Sequence, residues 1–156
     1  MDFLDFLAKG GSDFKGRTLK LIWSFSDDDI QETHDFIQII FPLNKASESV
    51  FHGYYLNSDD LVEQIRNSPI AKENILQSSK WYLSFLKRNI WLWNRNYDHN
   101  QKRITRVIEC LRLLISQDEA DKFYDDVLTI IKDNNKVNQT SLNFWKMLNI
   151  IFYSLR

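Results

Sequence analysis

The sequence predicts an all-α protein, a compact bundle of about six helices around a single core, with residues 1–156 forming one domain. Three observations carry that expectation. Glycine and proline, which punctuate turns and sheets, number only four and two in 156 residues. Alternating apolar and polar runs joined by Asn-Gly or Asp-Gly turns, the mark of hairpins, are missing. Finally, Ile104, Val107, Ile108, Leu111, Leu114 and Ile115 recur at i, i+3, i+4 and i+7, the spacing of a helix with one buried face.

Along the chain, the first residues alternate Phe and Leu with Asp2 and Asp5, acids where a secretory signal needs Lys or Arg, so no cleaved leader is expected. Ser26 followed by Asp27, Asp28 and Asp29 is a strong helix start. A serine cap accepts a backbone N–H, and the acids complement the positive end of the helix dipole. That helix is expected to run until Pro42 stops it. Residues 44–57, with their Ser, Asn and Gly content, read as a loop. Further helices are expected over 58–67 and 70–87, from His99-Asn100 through the stripe above, and over 119–133 and 141–155. The most apolar stretch, Leu148 to Leu155, is far short of the roughly 20 residues that span a bilayer. No internal repeat and no low-complexity tract is visible.

Composition narrows the function classes. Hydrophobic residues at 44% and charged residues at 26% place the chain among globular proteins. Eleven Phe, six Tyr and five Trp promise a heavily aromatic core. A net charge of −1 lacks the basic field of a histone-like or polybasic protein, which argues against nucleic acid as the main partner. The lone Cys110 excludes an internal disulfide and a cysteine zinc site, and the cytoplasm is the expected location.

Charge is unevenly placed. Residues 1–65 carry 12 acids and 5 bases, whereas 80–112 carry 8 bases against Asp98 and Glu109. Such asymmetry suits either complementary packing of the two halves or an anion-binding surface on the basic segment. Trp81, Trp91, Trp93 and Tyr97 are interleaved with those bases, a mixture that serves a core or, alternatively, stacks bases and grips phosphates.

Polar residues on apolar faces mark candidate sites. Counting about 100° per residue from Ile30, His34 falls at about 40°, inside the apolar stripe, with Gln38 on its edge at about 80°. A buried imidazole or amide must be hydrogen-bonded, so His34 is either a satisfied core histidine or one that contacts a ligand or takes part in catalysis, with Gln38 as its neighbour. In the later helix Asn100 lies at the start, where a cap is wanted, and His99, Arg103, Arg106 and Cys110 form a band flanking the stripe. Two arginines there are either anchored to carboxylates and carbonyls or hold an anionic or carbonyl-bearing ligand through bidentate guanidinium geometry.

At these residues the sequence resembles the opioid growth factor receptor conserved domain. Its first signature is similar to Asp13-Phe14-Lys15-Gly16-Arg17, Trp23, and His34-Asp35-Phe36-Ile37-Gln38-Ile39-Ile40-Phe41-Pro42-Leu43. Its second resembles His99-Asn100-Gln101-Lys102-Arg103-Ile104-Thr105-Arg106, and Thr140 to Trp145 resembles its closing segment. The chain departs from the pattern at Gln31, Ile39 and Ser49-Val50. The resemblance implies an all-helical domain, and its vertebrate members are described as receptors for an opioid pentapeptide at the nucleus. It implies His34, Gln38, His99, Asn100, Arg103, Thr105 and Arg106 as the polar signature, and a nuclear or perinuclear location for a eukaryotic member.

The expected function is therefore a non-enzymatic module that binds a peptide or small anionic ligand in a groove edged by the signature residues. A peptide carboxylate would be the natural partner of Arg103 or Arg106. Nucleic-acid binding through 80–112 is the alternative, followed by an uncharacterised enzyme. Against catalysis, His34, His52, His99 and Cys110 offer no close ligand pair, so no metal and no cofactor is expected, and Gly10-Gly11-Ser12 is not a phosphate loop. No Gly-x-Ser-x-Gly elbow occurs. His99 and Cys110 stand about three turns apart on one helix, too far for a nucleophile and its base.

Overall fold

The computed structural model describes residues 1–47 and 53–155, with backbone alone over 149–155. The described residues are all-α and contain no strand, but they form ten helices rather than about six. The difference lies in five helices of four to six residues, each too short to display the two turns over which a helical period becomes visible. Two compact units divide the chain at Ser78/Ser79.

In the first unit, helix starts follow their caps. Asp2 caps α1 (Phe3–Ala8), Thr18 caps α2 (Leu19–Trp23), and Ser26 caps α3 (Asp27–Glu32) in a reciprocal box with Asp29. After α4 (Ile37–Ile40), Ser58 caps α5 (Asp59–Arg66), which packs on α1. The helix that follows, α6 (Pro69–Arg88), begins in this unit. Asn74 Nδ2 donates to the Leu7 carbonyl at 2.8 Å, and Trp23 Nε1 donates to Ser78 Oγ at 2.9 Å. Phe6, Leu7, Ile22, Ile30, Ile39 and Phe41 are fully buried. Residues 44–47 and 53–57 are irregular, as a loop should be, whereas Ser49, Val50 and His52 lie outside the described residues.

The single helix expected from Ser26 to Pro42 is instead two. It breaks at Thr33–Phe36, where Thr33 turns extended (φ −89°, ψ 124°). The cause lies outside the segment. Arg17 holds both the Asp35 carboxylate (Nη1–Oδ1 2.7 Å) and the Asp35 carbonyl (Nη2–O 3.2 Å), which draws the backbone out of the helical path.

The second unit is built on α8 (His99–Leu114), which packs against α9 (Gln117–Ile131), α10 (Gln139–Leu155) and the short α7 (Ile90–Trp93). Ile104, Val107, Ile108, Leu111 and Leu114 are buried, as their period requires. Asp98, not Asn100, caps α8: its carboxylate accepts from the Asn100 N–H at 2.8 Å. Asn100 is thereby placed as the second residue of α8, in its first turn, fully buried. No helix among the described residues is long and apolar enough to cross a membrane.

Candidate functional site

The first signature is a charged latch. Asp13 Oδ1 accepts the N–H groups of Lys15 and Arg17, each at 2.9 Å, and the loop closes through Asp13 N–H to the Arg17 carbonyl at 2.7 Å. Gly16 sits at φ 77°, a left-handed conformation that only glycine adopts without strain. The turn aims Arg17 at two carboxylates, with Nε on Asp13 Oδ2 at 2.8 Å and Nη1 on Asp35. Lys15 adds an ion pair to Asp35, and Phe14 lies under the Arg17 guanidinium while stacking on Tyr54. Burial alone would raise Asp35, but hydrogen bonds from Lys15 and Arg17 outweigh it and bring its carboxyl below the ordinary value.

His34 is exposed and lies in the break between α3 and α4, so it is not the buried imidazole that an unbroken helix would make it. Gln38 is buried and donates to the His34 carbonyl at 3.4 Å.

In the second unit the signature forms a polar knot at the start of α8. Asn100 Oδ1 accepts the Tyr82 hydroxyl at 2.7 Å and Arg103 Nη1 at 3.3 Å, which takes both lone pairs of a fully buried amide oxygen. Arg103 is itself only 7% exposed, so its fork points into the protein. Thr105 Oγ1 donates to the Gln101 carbonyl and accepts the indole N–H of the buried Trp145 at 2.8 Å. Arg106 is half-buried, and burial lowers its pKa against the opposing pull of Cys110 and Glu109. His99 is half-buried, its Nδ1 at 3.9 Å from the Asp98 carboxylate. Burial pushes the Cys110 thiol up to about 12, so it stays protonated at neutral pH and is no nucleophile. Among the described residues no three His, Cys, Asp or Glu side chains are grouped so as to hold a metal ion.

Several residues that complete this knot drew no separate attention in the sequence. Gln101, buried beside Asn100, donates to the Trp93 and Arg95 carbonyls at 3.1 and 2.8 Å and accepts from Asn138 Nδ2 at 2.9 Å. Asn138 also reaches the Asn96 carbonyl at 2.7 Å and caps α10 through the Ser141 N–H at 2.8 Å. Asn94 Nδ2 donates to the Asn134 carbonyl at 2.7 Å while its Oδ1 accepts the Lys136 N–H at 2.9 Å. Together these amides lace residues 94–96 to 134–138. Their only sequence signal is a density of Asn and Gln in two connections, which reads locally as turn chemistry.

Beside the lacing lies an open depression of about 390 Å³. Its lining is Ile90 and Trp91 of α7, Ile130 and Ile131 at the end of α9, and the polar Asn94, Asp133, Asn134 and Lys136. Trp91 is 68% exposed, whereas Trp93 two residues on is buried with its indole N–H on the Leu86 carbonyl at 2.9 Å. Of the aromatics interleaved with the basic segment, Trp91 and Tyr97 are thus exposed, Trp81 is half-buried and Trp93 is core. Five of that segment's eight bases are exposed: Lys80, Lys87, Arg88, Arg95 and Lys102. Compared with protein-family models, with curated proteins and with solved structures, this chain finds no match.

Proposed function

We propose that the chain is a non-enzymatic binding module of the opioid growth factor receptor-like helical type, and that it takes a short peptide in the depression beside Trp91. The all-α content and the saturated polar signature support the helical type. One observation carries the binding site: an exposed tryptophan shares a depression with Ile90, Ile130 and Ile131, and the two-way Asn94 clamp fixes part of its lining. An aromatic with one face in water and isoleucines beside it offers a large rigid contact area of the kind that binding surfaces use. The clamp means that the wall need not be ordered on binding, which removes part of the entropy cost of association. A volume of about 390 Å³ suits one or two side chains of an extended segment, at the small end of ligand pockets. The signature residues support the site from behind and do not edge it: Asn100, Gln101 and Arg103 are buried and hydrogen-bonded within the fold.

Panning a random peptide library against the immobilised protein, with Trp91→Ala as counter-selection, tests this reading. Selected peptides should shift the indole resonance of Trp91 and lose at least about tenfold in affinity on Trp91→Ala, as a central aromatic contact does. Binders that ignore Trp91→Ala, or none at all, would refute it.

A further inference from the structure

Resting on the peptide reading of the depression, we infer that Asn134 is the residue that reads the ligand's backbone and that the ligand is an uncharged extended segment. An apolar side chain of that segment lies with Trp91 and the isoleucines, and the N–H and C=O of one of its residues pair with the Asn134 side-chain amide. The hydrogen bonds around the depression carry this. Its polar lining is Asn94, Asp133, Asn134 and Lys136. Asn94 has both ends of its amide engaged, Nδ2 on the Asn134 carbonyl at 2.7 Å and Oδ1 on the Lys136 N–H at 2.9 Å. Asp133 and Lys136 are exposed and opposite in charge, so the lining carries no net charge and selects neither sign.

Asn134 differs from the other three. Its backbone is held on both sides, the N–H by the Ile131 carbonyl at 3.2 Å and the carbonyl by Asn94. Its side chain is exposed and makes no hydrogen bond among the described residues. A carboxamide presents a donor and an acceptor side by side. The N–H and C=O of one residue in an extended chain face the same way, which is how two strands exchange a pair of hydrogen bonds. An extended ligand therefore keeps both groups bonded at Asn134 while it gives up water to enter the depression. Because the Asn134 backbone is already fixed, the pairing orders one short side chain and nothing else on the protein.

Panning a fully random peptide library with Trp91→Ala as counter-selection supplies the probe, the best Trp91-dependent binder, followed by fluorescence anisotropy. Asn134→Ala should weaken it at least about fivefold. Raising salt from about 50 to about 300 mM should move its Kd by less than about twofold. Replacing each backbone amide of the peptide by an ester in turn should find one position whose cost in the wild type vanishes in Asn134→Ala, a coupling that a direct pair gives and a merely structural residue does not. Asn134→Leu, similar in size but without the amide, gives the same ester reading if Asn134→Ala melts early. Undiminished binding to Asn134→Ala, or an ester scan without such a position, overturns the backbone reading and leaves the Trp91 site standing. A larger change of Kd with salt overturns the uncharged ligand. No Trp91-dependent binder at all overturns both this inference and the peptide site.

Discussion

Arg17→Ala should strongly destabilise the first unit, because one guanidinium closes both a loop and a helix break. Its Nε and Nη2 lie 2.8 Å from Asp13 Oδ2, and its Nη1 lies 2.7 Å from Asp35 Oδ1. The Asp13 side chain has no exposed surface and that of Asp35 only 9%, so both carboxylates would remain buried without their main partner. Asp13 keeps two backbone N–H donors and Asp35 keeps Lys15, which sets the cost at the low end for breaking a buried pair, about 3 kcal/mol, or roughly 6–12 °C in melting temperature at this size. Circular dichroism melting measures it, with Arg17→Lys recovering only part because an ammonium cannot fork across two carboxylates. The pH dependence supplies a second check. Asp35 titrates below its ordinary 3.8, so its pairing contributes fully above that value and is lost as pH falls through the lowered one. The gap between wild type and Arg17→Ala should therefore narrow as the solution is acidified below about 3.8. A melting shift under about 2 °C, or a gap that widens in acid, would refute the latch.

Further outcomes follow from the second unit. Burial pushes the Tyr82 phenol well up from its ordinary 10.0, so ultraviolet titration should show it ionising only on unfolding, with stability falling above pH 10, where the unfolded chain sheds that proton. Tyr82→Phe should cost about 1 kcal/mol, since Arg103 still donates to Asn100. Cys110, fully buried, should resist a thiol reagent in the native protein and react completely in denaturant; rapid native labelling would contradict its burial. Thr105→Val should cost about 1–3 kcal/mol in urea unfolding by stranding the Trp145 indole N–H, and a double-mutant cycle with Trp145→Phe should show coupling. Gln101→Met strands two carbonyls and the Asn138 amide, so a loss of about 3 kcal/mol is expected, with faster hydrogen exchange at the laced amides.

The long helices were legible in the sequence because amphipathic period and caps are local properties. The expected 58–67 and 70–87 became Asp59–Arg66 and Pro69–Arg88, while 119–133 and 141–155 became Gln117–Ile131 and Gln139–Leu155. The break at Thr33–Phe36 was not legible, because its cause sits 18 residues away in Arg17 and a helical wheel carries no information about such a partner. His34 moved from an expected buried face to solvent for that reason alone. The Asn94 clamp, 40 and 42 residues from its partners, was hidden in the same way. The polar signature was legible as residue types in an odd place, but whether such residues face a ligand or one another depends on contacts that spacing does not encode.

Those contacts decide where function can lie. A buried amide oxygen has two lone pairs, and in Asn100 both are taken, by Tyr82 and Arg103. Gln101 gives its amide N–H groups to two loop carbonyls and its oxygen to Asn138. A ligand competing for either group would have to break hydrogen bonds inside the protein and leave others unmade, a penalty of about 1–3 kcal/mol for each orphaned group before any gain. In the proposed function, recognition is therefore assigned to groups that are still solvated and already held in place. Trp91 meets both conditions: its ring is in water, and it sits on α7 between the Trp93 indole bond to Leu86 and the Asn94 clamp. On the proposed reading the labour divides along the same hydrogen-bond accounting, with Asn100, Gln101 and Arg103 bonded within the fold at the start of α8 and the exposed Trp91 left to meet a peptide.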